Sequence, residues 1–124
     1  MRFITPALVF AAAAIFVAGC QSTHEKGVKS NLKTQWTTVD GDTRAATAAA
    51  ADVLKEQELK DVKAESTNVD GKATGHMADG TKISVDVKKK TETTSQVSVN
   101  VGNFGDPELG AEIARKIKDR TASR

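Results

Sequence analysis

This chain is short of most residues that make a functional site easy to find. It has one cysteine, two histidines, one tryptophan, four phenylalanines and no tyrosine. A single cysteine rules out an intramolecular disulfide framework. The two histidines cannot supply the three or four ligands that zinc needs. His24 lies in a polar segment, and His76 lies in a predicted strand between Gly75 and Met77. No Gly-x-Ser-x-Gly elbow marks a nucleophile. Asp40-Gly41-Asp42 looks acidic enough for a metal loop, but Thr43-Arg44-Ala45 lacks the alternating oxygen ligands that a calcium loop demands. Those residues read as a turn and a helix cap. Charge is nearly balanced, at 18 basic against 16 acidic residues. That balance gives no electrostatic case for nucleic acid. No enzyme, cofactor or metal site is expected.

The N-terminus carries the strongest signal. One basic residue, Arg2, precedes an uncharged apolar stretch from Phe3 to Ala18, which ends in Val17-Ala18-Gly19-Cys20. A membrane span needs about 20 apolar residues. This stretch is shorter and alanine-rich, and it fits the core of a secretory signal. The ending resembles the lipobox of bacterial lipoproteins. That resemblance implies a diacylglycerol on the Cys20 thiol, cleavage just before Cys20, and an acylated new amino terminus. Unmodified, Cys20 would be a lone thiol in an oxidising compartment. Two acyl chains also meet the requirement for stable anchoring. Cleavage removes Arg2 and leaves a net charge of about +1. It also removes Phe3, Phe10 and Phe16, so Trp36 and Phe104 are the only aromatics left. The expected core is aliphatic and thin.

The organisation expected is a signal peptide over 1–19, a lipidated tether over 20–30 and a domain over 31–124. Asn31 to Asp40 reads as a first strand, with Leu32, Thr34, Trp36 and Thr38 on one face. Asp42-Thr43 caps an alanine-rich helix that follows 3.6-residue spacing through Gln57. Two Asp-Gly pairs, Asp70-Gly71 and Asp79-Gly80, suit type I′ turns. They divide the next segment into strands near 62–69, 72–78, 81–89 and 95–102. Ile83, Val85 and Val87, and likewise Val97, Val99 and Val101, alternate with polar residues, which gives one buried and one wet face. Asp106-Pro107 opens a last helix with Leu109, Ile113 and Ile117 on one face. The predicted fold class is α+β, in two layers. An antiparallel sheet of four to five strands carries two helices on one face, in the order β-α-β-β-β-β-α.

The lipobox, the alanine-rich helix leading into an Asp-Gly-punctuated meander, and Val101-Gly102-Asn103-Phe104-Gly105-Asp106 before the last helix occur together. Together they resemble a family of short bacterial lipoproteins with a domain of unknown function, over roughly Asn31 to Arg120. The resemblance implies a fold and a location, and no activity. In Gram-negative sorting, as the family pattern implies it, Asp directly after the cysteine retains a lipoprotein at the inner membrane. Here Gln21 and Ser22 follow, so the expected location is the periplasmic face of the cell outer membrane.

The candidate contact residues are Trp36, Phe104, Lys88, Lys89 and Lys90. Gly102 and Gly105 permit a sharp strand-to-helix turn, with Phe104 plugging the core edge and Asp106 capping the helix. The rival reading makes this loop an anion pocket. Trp36 is expected to close the core against the alanine-rich helix, or else to sit half-exposed as a partner anchor. The lysine run reads as a solvated strand end, or as a contact for anionic headgroups or peptidoglycan. Two functions follow. The first is a lipid-anchored, non-enzymatic binding or scaffold module whose partners are the membrane, through Cys20, and an envelope protein or peptidoglycan. The alternative is a small ligand-binding or enzymatic domain with its site at Gly102–Asp106.

Overall fold

Strict alternation decides the layering. Ile83, Val85 and Val87 of Lys82–Lys89 and every second residue of Thr94–Val101 are buried, so these strands carry one dry face and one wet face. The computed structural model describes residues 27–122. They form strands β1 (Lys29–Ser30), β2 (Thr34–Asp40), β3 (Lys60–Ser66), β4 (Asp70–His76), β5 (Lys82–Lys89) and β6 (Thr94–Val101). Helix α1 (Thr43–Glu56) follows β2, and α2 (Pro107–Ala122) follows β6. The strands make one antiparallel sheet in the order β1-β2-β6-β5-β4-β3. Helix α1 carries the chain across the sheet to its far edge, where β3 starts a meander that returns to pair β6 with β2. Both helices cover the dry face, α1 over β3 and β4 and α2 over β2 and β6.

The two-layer α+β fold is as expected, with a sheet of six strands in place of four to five. The added strand is β1, which takes up Lys29 and Ser30 from the segment read as tether, and Val28 is buried beside it. The core is small and aliphatic. Ala46, Ala49, Ala50 and Val53 of α1, with Ile113, Ala114 and Ile117 of α2, meet Val85, Val97 and Val99 of the sheet. Side chains this short bring the helix axes close to the strands.

Three local readings are corrected. In β2 the residues turned to the helices are Gln35, Thr37 and Val39, while Trp36 is half-buried on the open face and Leu32 is 82% exposed in the turn before the strand. Apolarity pointed to the wrong face because two of the three inward residues are polar. Their donors are met locally: Gln35 Nε2 donates to Ser30 Oγ at 3.0 Å and to Asn31 O at 2.8 Å, and the Thr37 hydroxyl donates to Gly27 O at 2.6 Å. Asp70-Gly71 opens β4 rather than forming a turn. The chain reverses one step earlier, where Thr67 N–H donates to Asp70 O at 2.8 Å and Thr67 Oγ1 donates to the Asp70 carboxylate at 2.9 Å. Of Asp79-Gly80 only Gly80 has positive φ, at 92°. The turn is therefore a type I with a glycine bulge, since type I′ needs positive φ at both central residues.

Helix ends account for two further details. Asp42 caps α1 by accepting from Ala45 N–H at 2.9 Å. At the other end Glu58 N–H reaches Lys55 O at 2.9 Å and Leu59 N–H reaches Leu54 O at 3.2 Å. This is the double bond pattern that closes a helix through a left-handed residue. That residue is Glu58, with φ of 62°, where glycine is the usual choice. Replacing Glu58 by Gly removes the steric cost of that conformation and is expected to stabilise the fold by about 0.5–1 kcal/mol. An unchanged or lower urea midpoint would contradict this.

Gln35 is fully buried, and its Oε1 has no hydrogen-bond partner. It lies over Gly110 of α2, where an added Cβ would meet Oε1 directly and come within 2.9 Å of Gln35 Cδ. Gly110 therefore sets how closely α2 approaches β2. Alanine favours a helix over glycine by about 1 kcal/mol, yet Gly110→Ala is expected to destabilise the protein by about 1–2 kcal/mol through overpacking. Adding Gln35→Ala to Gly110→Ala should cost less than the two single changes summed, measured as a urea double-mutant cycle.

Candidate functional site

The described residues form an open cleft of about 730 Å³. It lies between the β4–β5 hairpin and the loop joining β6 to α2. The loop turns because Gly102 and Gly105 hold φ of 64° and 81°. Gly105 also lies on the backbone of the β1–β2 turn, where a Cβ would come within 2.8 Å of Lys33 Cα. Asp106 then caps α2, accepting from Leu109 N–H at 3.1 Å through its side chain. The glycines and the cap do what the sequence pattern indicates. Phe104 does not plug the core edge. It is 92% exposed.

The polar groups converging on this cleft include Asp79, Lys82, Ser84, Asn100, Asn103 and Asp106. The Asp79 carboxylate accepts from Thr81 N–H at 2.9 Å. That bond, aided by the Thr81 hydroxyl, holds its pKa below the usual carboxylate value. Asp79 therefore stays ionised near neutral pH. Two carboxylates facing one lysine make the cleft a poor anion pocket, contrary to the rival reading of the two glycines.

The remaining candidates lie toward the opposite end of the strands. Trp36 and Lys90 line a pocket of about 230 Å³, together with Lys29, Lys118, Thr38 and Gln96. Lys88 is next to Gln96 in the sheet register, and Lys89 is paired with Glu92 at 2.9 Å. The structure thus brings Trp36 and Lys90 together and leaves Phe104 apart from both. Trp36 does not close the core. Lys29 and Lys118 were missed by sequence reasoning. One lies in the segment read as tether and the other on α2, and no spacing rule connects them.

His76 is half-buried at the end of β4, opposite Lys60 and Lys82 in register, and its Nδ1 has no hydrogen-bond partner. Among the described residues no three His, Cys, Asp or Glu side chains cluster to hold a metal. Cys20 and His24 lie outside the described residues.

No curated protein matches the chain. A family model described as "Protein of unknown function (DUF3568)" matches residues 4–120. That match covers nearly the whole sequence, from within the apolar run to the last turns of α2. The chain therefore belongs to the DUF3568 family of proteins of unknown function.

Proposed function

We propose that this protein is a bacterial envelope lipoprotein, anchored through lipid on Cys20. Its α+β domain is a non-enzymatic binding or scaffold module facing the periplasm from the outer membrane. The observation that carries the reading is Val17-Ala18-Gly19-Cys20 at the end of an uncharged apolar run behind Arg2. At about 0.8 kcal/mol per buried methylene, a diacylglycerol on one sulfur holds the chain at the bilayer without a spanning helix. Gln21, rather than Asp, after the cysteine favours the outer membrane.

The binding role rests on the face of the sheet that the helices leave bare. The register lays Thr34, Asn100, Ser84 and Thr74 side by side across β2, β6, β5 and β4, with Trp36 and Ser98 in the next row. All six are part-exposed, and Thr34 Oγ1 bonds Asn100 Oδ1 at 2.6 Å. A surface of hydroxyls and amides with one aromatic, and with the Lys72–Asp86 ion pair continuing the Trp36 row, suits contact with an envelope protein or peptidoglycan. The second reading, a small ligand-binding or enzymatic site, is favoured by the 730 Å³ cleft beside exposed Phe104.

Metabolic labelling with an alkyne-tagged fatty acid, followed by fractionation with alkaline washing, tests the anchor. The wild-type chain should take up label and stay with membranes, and Cys20→Ala should do neither. A Cys20→Ala chain that still fractionated with washed membranes would sink the proposal.

A further inference from the structure

Of the concavities in the described residues, one differs from the rest in charge. The Phe104 cleft contains Asp79 and Asp106, and a second open cleft of about 690 Å³ mixes Glu65, Asp70 and Asp86 with Lys72 and Lys88. The 230 Å³ pocket holds Lys29, Lys90 and Lys118 and, among the described residues, no carboxylate. Two acids close in sequence to these lysines are engaged elsewhere. Glu92 pairs with Lys89, and Asp119 pairs with Arg115, each at 2.9 Å. Asp40, the one acid of β2, is exposed at the end of that strand, opposite Thr94.

Three separate parts of the fold bring these cations together. Lys29 is paired with Trp36 across β1 and β2. Lys90 follows β5, and its Nζ donates to Thr38 Oγ1 at 3.3 Å. Lys118 comes from α2 and lies so close to Gly27 that a Cβ there would sit 2.5 Å from its Nζ. Gln96, opposite Thr38, adds an amide. Three ammonium groups around a small polar pocket, with an indole on its wall, match a phosphate esterified to glycerol. The cations neutralise the phosphate, while the hydroxyl and amide meet the polar ester.

The position of the pocket selects the source of that phosphate. Gly27, the first described residue, lines it. The stretch from Cys20 to Gly27 spans at most about 25 Å when fully extended. A bilayer holding acyl chains on Cys20 would therefore put headgroups within reach of this corner. We propose that the Lys29–Lys90–Lys118 pocket binds the phosphate of an anionic glycerophospholipid in the bilayer that anchors the chain, fixing the domain's orientation on the membrane. This inference rests on the lipid-anchor reading for its choice of ligand, while the pocket itself does not.

Trp36 is the only tryptophan and lines the pocket, so its fluorescence reports occupancy. The probe is dihexanoyl-phosphatidylglycerol below its micelle concentration. It is titrated into Cys20–Arg124 carrying Cys20→Ser, a chain that contains the whole described fold and no acyl group. Trp36 emission should shift saturably, while dihexanoyl-phosphatidylcholine should leave it unchanged. Combined Lys29→Gln, Lys90→Gln and Lys118→Gln should weaken binding about a hundredfold, or about fivefold per lysine, with an unchanged far-UV spectrum. If the triple variant fails to fold, the single variants carry the test at fivefold each. Equal response to the choline lipid, wild-type affinity in the variants, or equally tight binding of inorganic phosphate would each overturn the proposal. Because the titrated chain has no lipid, failure here is independent of failure of Cys20 labelling.

Discussion

The close seating of two small-residue helices on a single face of the sheet is the contact on which the rest of this structure depends. Alanines at 46, 49, 50, 111 and 114 and Gly110 let α1 and α2 approach the strands, and Val, Ile and Leu fill what remains. No aromatic ring contributes to this buried cluster. Such a core has little to spare: native domains are marginally stable, and an aliphatic core offers many small contacts rather than a few large ones. The buried polar side chains are accordingly tied down, with Ser95 Oγ bonded to Gly41 O and Thr47 Oγ1 to Thr43 O. Arg120 of α2 bridges to Asp52 and Glu56 of α1, linking the helices at the surface.

Covering one face leaves the other to solvent, and the chemistry lies on that side. Trp36, the lysine pocket and the hydroxyl and amide rows all belong to the open face or its margin. The edge strand β3 is guarded in a different way. It carries Lys60, Asp61, Lys63 and Glu65, with a register shift between Lys60 and Lys63. Charges and a bulge of this kind discourage pairing with another chain. The β3 edge is thus guarded against pairing, while the open face stays accessible.

Much of the fold was legible where local chemistry and tertiary environment agree. The valine alternation of β5 and β6, the aspartate caps at Asp42 and Asp106, and Pro107 at the start of α2 each report a local constraint. The face of β2 was not legible. Gln35 and Thr37 lie on the face that α2 covers, with Ser30, Asn31 and Gly27 folding back to accept their hydrogen bonds, and that encounter is tertiary. Phe104 was not legible either: as an aromatic between two glycines it reads as a core plug, yet it is exposed. The lysine pocket draws on β1, the start of the β5–β6 loop and α2. Spacing along one element cannot reveal such a set.

Which way β2 faces decides both the core and the pocket, because Trp36 must lie on the open side for the lysines to surround it. Urea unfolding of Trp36→Ser and Val39→Ser, followed by circular dichroism, compares the two faces directly. Val39 is 1% exposed beneath the helices, so its replacement should cost about 2–4 kcal/mol through cavity and buried hydroxyl. Trp36→Ser should cost about 1 kcal/mol or less, as befits a part-exposed side chain. A larger loss from Trp36→Ser than from Val39→Ser would contradict this account.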